Sequence, residues 1–300
     1  MSNQACPNTT TRWTAPKPAD ATRRFFRRFA SASSMIGLIV LVALTTYAIV
    51  VPIVAHIDPA MTDFANRGLS PSAEHLFGTD SKGRDVFVRL AAGLRISLLI
   101  ALLTAIISTV VGTTIGVVSA LLGGVVDQVL MRVTDTVNAL PHLLLGLLIV
   151  SMFPGNIVAI VASLVLTHWV STARTVRAQV LSVRTASFVS LSYLQGASTQ
   201  QVLWRHFVPA AMGQALVGLV LLIPHAVWHE STLSFLGVGL PPHHPSLGTI
   251  LSDAEGALLL GHWWILVIPA TLLIATTLSI GAVGKGLAAA AHGVGGESRV

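Results

Sequence analysis

SFVSLSYLQGASTQQVLWRHFVP, residues 187–209, stands between two long apolar runs and is itself amphipathic. Phe188, Val189, Tyr193 and Leu194 precede a central turn, and Val202, Leu203 and Phe207 follow it. Gly196 suits the left-handed conformation that ends one helix. Ser198 with Gln201 makes an S-x-x-Q capping box that starts the next. The spacing predicts two short helices joined by a tight turn, on a loop between membrane spans. Solubility alone asks only for polar residues, whereas apolar side chains on short helices suit docking into a groove on a soluble partner.

The flanking runs set the solvent. Of the 300 residues, 53% are hydrophobic and only 10% charged, against about 25% charged in soluble domains. The net charge of +6 does not indicate nucleic acid, because the basic residues cluster beside apolar spans, the pattern of membrane orientation. Cys6 is the single cysteine, so no intrachain disulfide forms and the redox compartment stays open. Residues 1–34 are mostly polar, and the apolar run 35–57 is longer than a signal core, so it is expected to remain as an anchor.

Spans of roughly 20 apolar residues are expected at about 35–57, 94–118, 129–152, 156–173, 213–236 and 263–287. The fold expected is all-α and membrane-integral, with about six transmembrane helices and a loop, 174–212, between the fourth and fifth. Residues 58–93 form the first extracytoplasmic segment, 94–287 the main transmembrane domain, and 1–34 and 288–300 cytoplasmic tails. With the N-terminus inside, the inner segments hold 13 Lys and Arg and the outer segments 5. That bias puts both termini and the 187–209 stretch in the cytoplasm. Disorder is expected up to about Thr22. Arg23–Phe29 reads either as a short interfacial helix, with arginines at lipid phosphates and phenylalanines below, or as a plain positive-inside anchor.

The outer segment carries Gly78-Thr79-Asp80-Ser81-Lys82-Gly83-Arg84-Asp85. Its glycines allow tight turns, and Asp80, Arg84 and Asp85 have chemistry to pair with one another. It is not a phosphate loop, and G-x-x-x-x-G-K-[ST] occurs nowhere in the sequence. The second span has Gly112, Gly116 and Ala120 on one face, which permits close helix approach. At the start of the third, Arg132 and Asp135 are three apart, and a local ion pair is expected.

The fifth span places His225, His229 and Glu230 near mid-membrane, after Pro224. Ionisable groups there are costly unless they line a wet cavity or find partners. The functional reading is a pathway lining, with local unwinding at Pro224; the plain reading is a hydrogen-bonded cluster holding helices together. His225 and His229, at i and i+4, are also a candidate metal pair. His229-Glu230 lacks the second histidine of H-E-x-x-H, and no nucleophilic triad is spaced for catalysis. Prolines 241, 242 and 245 stop the fifth span, a loop runs to about 262, and Trp263 and Trp264 anchor the last span.

Taken together, these residues resemble the inner-membrane permease subunits of ABC importers, in the dipeptide/oligopeptide/nickel group. Gly78-Thr79-Asp80 with Gly83-Arg84-Asp85 is similar to its G-T-D-x-x-G-R-D signature. Asp127, Met131-Arg132 and Asp135 match the start of its third span. Gly196-Ala197-Ser198, Arg205-His206 and Pro209 match its cytoplasmic coupling loop, and Glu230 with Leu233-Ser234-Phe235-Leu236-Gly237 matches the end of its fifth span. The resemblance covers the chain from the first span to about residue 287. It implies a bacterial inner-membrane transport subunit, not an enzyme, that binds no cofactor itself. A second homologous permease, two cytoplasmic ATPase subunits using ATP and Mg, and an extracytoplasmic binding protein would complete the importer. Phe188, Tyr193, Gly196, Ala197, Ser198, Arg205 and Pro209 would couple to the ATPase. The family's Glu-Ala-Ala is absent, because Ser190, Leu191 and Ser192 stand there; coupling is then expected through apolar docking or with a divergent ATPase. Small peptides are the leading cargo. Nickel or another metal chelate is the alternative, and a membrane enzyme or self-sufficient transporter is a distant one.

Overall fold

The computed structural model describes residues 31–55, 58–241 and 243–295. The expected disorder to Thr22, the segment Arg23–Phe29 and the end of the C-terminal tail lie outside them. Among the described residues ten α-helices follow in order: α1 (Ala32–Val54), α2 (Val86–Leu122), α3 (Gly124–Ala139), α4 (His142–Met152), α5 (Ile157–Arg184), α6 (Ser187–Leu194), α7 (Thr199–Val202), α8 (Val208–Phe235), α9 (Leu247–Leu259) and α10 (Trp264–Gly295). Among the described residues there is no β-strand, only one isolated bridge between Thr79 and Asp85.

Among the described residues, five helices are long and apolar enough to cross a membrane, and α3 with α4 makes a sixth crossing if that bent pair counts as one span. The third span, expected as one continuous helix, is instead bent by 81° between α3 and α4. Pro141 has no N–H to continue the ladder, and it caps α4 with an extended backbone. The fourth span runs on to Arg184, so residues 174–184, expected in the loop, are helical. The stretch expected as loop before Trp263 holds α9, started by a Ser246–Thr249 capping box.

α2 is the axis. Its 37 residues make a rod about 55 Å long, well beyond a hydrocarbon core of about 30 Å, so it reaches from one end of the bundle to the other. It packs chiefly against α5 and α8, while α10 lies against α1 and α8. Gly112 and Gly116 are the points of closest approach to α5. A Cβ on Gly112 would come within 2.5 Å of the Trp169 carbonyl oxygen, and one on Gly116 within 2.6 Å of the Ala173 carbonyl oxygen. The small-residue face of α2 therefore serves packing within the chain.

Of the five apolar clusters among the described residues, three mark out the length of the bundle. Leu90, Leu94, Val227, Leu247 and Ile250 fill the end near residues 58–85, and Ile100, Ile160, Leu164 and Leu233 fill the middle. Val176, Val180, Val189, Val202 and Phe207 fill the end that carries the 187–209 stretch. Large apolar side chains also cover the outside, among them Ile36, Ile39 and Ile53 on α1, a surface suited to lipid.

Candidate functional site

The glycine-rich signature folds into a tight loop that feeds α2. Gly78 and Gly83 have φ of +73° and +76°, where a Cβ is strained. At Gly83 there is no room either, since a Cβ would overlap the Asp63 carbonyl oxygen. Asp80 is buried at the centre. Its Oδ1 accepts from the backbone N–H groups of Lys82 and Arg84 at 2.8 and 3.0 Å. Its Oδ2 accepts from Arg84 Nε at 2.6 Å and Arg89 Nη1 at 2.8 Å. The second nitrogens of both guanidiniums reach Asp253 Oδ2 on α9, at 2.8 Å from Arg84 and 2.6 Å from Arg89. Lys82 Nζ lies 3.5 Å from the other oxygen.

The expected Asp80–Arg84 pair is thus present, but Asp85 is not part of it. Asp85 caps α2 by accepting from the Val88 N–H at 3.0 Å and is bonded by His75 Nδ1 at 2.8 Å. Arg89 and Asp253 complete the network; Arg89 lies one turn into α2, and Asp253 is 164 positions further along the chain. Burial raises the Asp253 carboxyl, yet Arg89, then Arg84 and Lys82, outweigh it and hold the group below its ordinary value. The buried carboxylate of Asp80 and the partly buried one of Asp253 face two buried guanidiniums and satisfy them, the condition under which buried charge is tolerated. This network locks α9 onto the start of α2.

Within the bundle, Glu230 is fully buried, and it faces serines rather than a cavity. Oε2 accepts from Ser97 Oγ at 2.7 Å and Oε1 from Ser234 Oγ at 2.8 Å. Ser97 Oγ in turn accepts from the Leu247 N–H at 3.2 Å, so the cluster joins α2, α8 and the start of α9. For Glu230 the geometry is that of the hydrogen-bonded cluster. His225 is exposed and His229 half-buried. The His229 ring stands edge-on to His168 of α5 at 5.1 Å, and His168 is 6.3 Å from His142 at the start of α4. His142 and His168 stand on the consecutive helices α4 and α5, so the i, i+4 spacing of His225 and His229 on α8 gives no sign that these rings come together. No group of three or more His, Cys, Asp or Glu among the described residues is placed to hold a metal ion. α8 continues through Pro224 without a break.

The irregular backbone lies earlier, in residues 187–209. α6 ends at Gln195, and Gly196 has φ +88°. The Ala197 N–H reaches back to the Ser192 carbonyl at 3.0 Å, the closure typical of a left-handed glycine stop. Ser198 and Gln201 form both bonds of the capping box. The second short helix, expected as separate, instead passes from α7 through a π-helical turn, Leu203–Phe207, directly into α8. Pro209 stands in the first turn of α8, where its missing N–H leaves no additional gap.

Val189, Val202 and Phe207 point inward against Val176, Val180 and Ala211. Phe188, Tyr193, Leu194 and Trp204 point outward, with Leu194 83% and Trp204 64% exposed. Between α6 and α7 lies a notch of about 680 Å³ whose lining includes Gly196, Ala197, Gln201, Trp204, Arg205 and His206. His206 Nε2 is hydrogen-bonded to Ser192 Oγ at 3.1 Å, and its ring lies 5.4 Å from Phe188. The loop stands on a braced base: Asp127 of α3 is gripped by Arg177 of α5, and Asp135 by Arg174 at 2.8 Å. The local Arg132–Asp135 pair is thereby replaced by one between helices.

Known proteins share this chain's pattern. Residues 112–291 match the family described as binding-protein-dependent transport system inner membrane component. The oligopeptide transport system permease protein OppC of Escherichia coli (strain K12) is 40% identical over 270 residues, covering 89% of this chain and 88% of that protein. OppC of Bacillus subtilis (strain 168) is 37% identical over 254 residues, covering 85% and 83%. The dipeptide transport system permease protein DppC of the same organism is 35% identical, covering 85% and 79%. A crystal structure of an amino acid ABC transporter with histidines superposes with a TM-score of 0.51 at 16% identity, over 64% of this chain and 89% of that one, which is a likeness of fold. With a family match over most of its length and relatives of this identity, the chain belongs to the inner-membrane permease components of binding-protein-dependent transport systems.

Proposed function

We propose that the chain is one half of the membrane pathway of an ATP-driven importer of small peptides. A second homologous permease supplies the other half. Two cytoplasmic ATPase subunits, using ATP and Mg, do the work, and an extracytoplasmic binding protein delivers the cargo. Residues 187–209 and both termini face the cytoplasm in this reading, which the 13-to-5 split of Lys and Arg supports. The peptide cargo is supported by relatives named for oligopeptide and dipeptide transport.

The observation that carries the reading is the form of the 187–209 stretch. α7 is continuous, through the π-helical turn, with α8, and the exposed apolar helix α6 is held to it by the tight glycine turn. Force applied at Phe188, Tyr193, Gly196, Ala197, Ser198, Arg205 or Pro209 reaches a spanning helix without crossing a flexible linker. His225 and His229 lie on that same helix and line the pathway. A metal-chelate cargo draws on one observation, the cluster of His142, His168 and His229. The absence of any three-ligand group among the described residues leaves it second to peptides.

The test is reconstitution. The two permeases, two ATPases and binding protein, placed in proteoliposomes, are expected to take up a labelled tripeptide only with ATP. Uptake by this chain alone, or peptide uptake that ignores ATP, overturns the proposal.

A further inference from the structure

Between Asp135 and Glu230 the sequence has no acidic residue, but four arginines. Three of those are held inside the chain: Arg174 by Asp135, Arg177 by Asp127, and Arg184 by the Ala120 carbonyl at 2.9 Å. The fourth, Arg205, is exposed on the π-helical turn, and no partner holds it among the described residues. It lines the notch at Gly196 beside His206, Ser192, Gln195 and Gln201. The notch therefore presents one free guanidinium and several N–H and O–H donors, and no carboxylate. On α6, exposed Ser190 occupies the position where the family pattern has a glutamate.

We propose that this notch receives an acidic side chain of the ATPase subunit, so that the charged contact of the coupling interface has its cation on the permease. The inference rests on the coupling role proposed above. A planar guanidinium grips a carboxylate through two parallel bonds, and the Trp204 indole and the Gly196–Ala197 backbone wall the notch on either side. Charge complementarity of this kind sets partner choice and register more than raw affinity. The consequence is specificity: an ATPase that relies on a permease glutamate meets serine at 190, and the charged contact left to this loop is the one made by Arg205.

The experiment uses the whole importer, with the ATPase recovered on the tagged permease and peptide-stimulated ATP hydrolysis measured in proteoliposomes. Arg205→Lys is expected to retain most of both signals, and Arg205→Glu to lose roughly tenfold or more of each. The wild-type complex is expected to weaken as salt rises from about 0.05 to about 0.5 M, and an Arg205→Ala complex to respond much less. Single Asp→Lys or Glu→Lys changes in the ATPase groove, combined with Arg205→Glu, are expected to restore assembly at one position. If Arg205→Glu assembles and hydrolyses normally while Gly196→Val does not, the charge inference fails and the coupling role survives. If both variants behave as wild type, both fail. Loss with Arg205→Lys as well, and no rescue by any charge reversal, overturns the acidic partner and makes Arg205 a packing residue.

Discussion

The guanidinium of Arg177 closes on the carboxylate of Asp127 with two parallel bonds, Nε to Oδ1 and Nη2 to Oδ2, both 2.6 Å. Ser119 of α2 donates to the same carboxylate, so one aspartate ties α2, α3 and α5 together at the end of the bundle. The 187–209 stretch stands on that tie. In the importer proposed above, an ATPase pushing on the loop would act against a fixed base, with motion directed into α8 instead of being absorbed by α5.

The pair can be measured as a double-mutant cycle. Both side chains are partly exposed, at 29% for Arg177 and 20% for Asp127, so solvent screens them and the bidentate geometry raises the pair only modestly above an ordinary surface bridge. Asp127→Ala and Arg177→Ala are each expected to lower stability, with a coupling energy of about 1 kcal/mol in equilibrium unfolding from detergent. A coupling energy of zero, with peptide-stimulated hydrolysis intact in both single variants, removes the bracing role.

The network at the other end carries higher stakes because it is buried. Arg89→Ala leaves buried Asp80 and partly buried Asp253 each short of a charged donor, and a cost of about 3–5 kcal/mol is expected. Thermal unfolding of the purified importer reads it, and Arg132→Ala, on an exposed stretch of α3, serves as the matched control with little change.

Asp253 adds a pH signature of defined sign. Its folded-state pKa lies below the ordinary value, which is about 3.9 in an unfolded chain. Its contribution to stability is therefore complete above that value and is lost as pH falls through the lower folded value. Wild-type thermal stability is expected to decline on the acid side of about pH 4, and Asp253→Asn, already destabilised, to flatten that decline. A variant whose acid profile parallels the wild type shows that other carboxylates govern it.

How much of this was legible in the sequence differs by element. Apolar run length and the Gly196 and Ser198–Gln201 signals are local, and they carried the helical membrane class and the jointed loop. Arg89 and Asp253 were not legible as partners, because a contact across 164 positions leaves no local pattern. The same holds for the exchange of Arg132 for Arg174 as the partner of Asp135: spacing on one helix counts only neighbours within it, and the closer guanidinium came from α5. α9 is hard to read because the run of prolines at 241, 242 and 245 in the sequence is a helix-stop signal that lies directly before the capping box at Ser246. Glu230 looked like a pathway residue because three of its serine neighbours are common, uncharged residues; only packing shows that Ser97 and Ser234 satisfy it.

That distinction yields a prediction. Glu230→Ala removes the acceptor from Ser97 and Ser234 and opens a cavity, and it is expected to cost about 2–4 kcal/mol. Glu230→Gln keeps the volume and one carbonyl acceptor and is expected to cost less than half of that. His225→Ala and His229→Ala should instead leave thermal stability near wild type and lower ATP-dependent tripeptide uptake. If Glu230→Ala is as stable as the wild type but fails to transport, the carboxylate belongs to the pathway after all.

Gly196 supplies the sharpest separation between fold and function. Nothing lies within 4 Å of the place a Cβ would occupy there, so a substitution meets no neighbour and acts only through φ of +88°. For a residue with a Cβ that conformation costs about 1–2 kcal/mol, and a β-branched side chain makes it harder still. The strain is local, at the exposed end of α6, and touches only the edge of the cluster formed by Val189, Val202 and Phe207, away from the apolar clusters around Leu90 and Ile100. Gly196→Val is therefore expected to insert and to pair with the second permease as the wild type does. The turn should open, shifting α6 relative to α7 and misplacing Phe188 and Tyr193 against the ATPase. Peptide-stimulated hydrolysis and uptake should both be lost, and Gly196→Ala should fall between the two. Normal uptake by Gly196→Val at wild-type levels of inserted protein refutes the assignment of this joint to coupling.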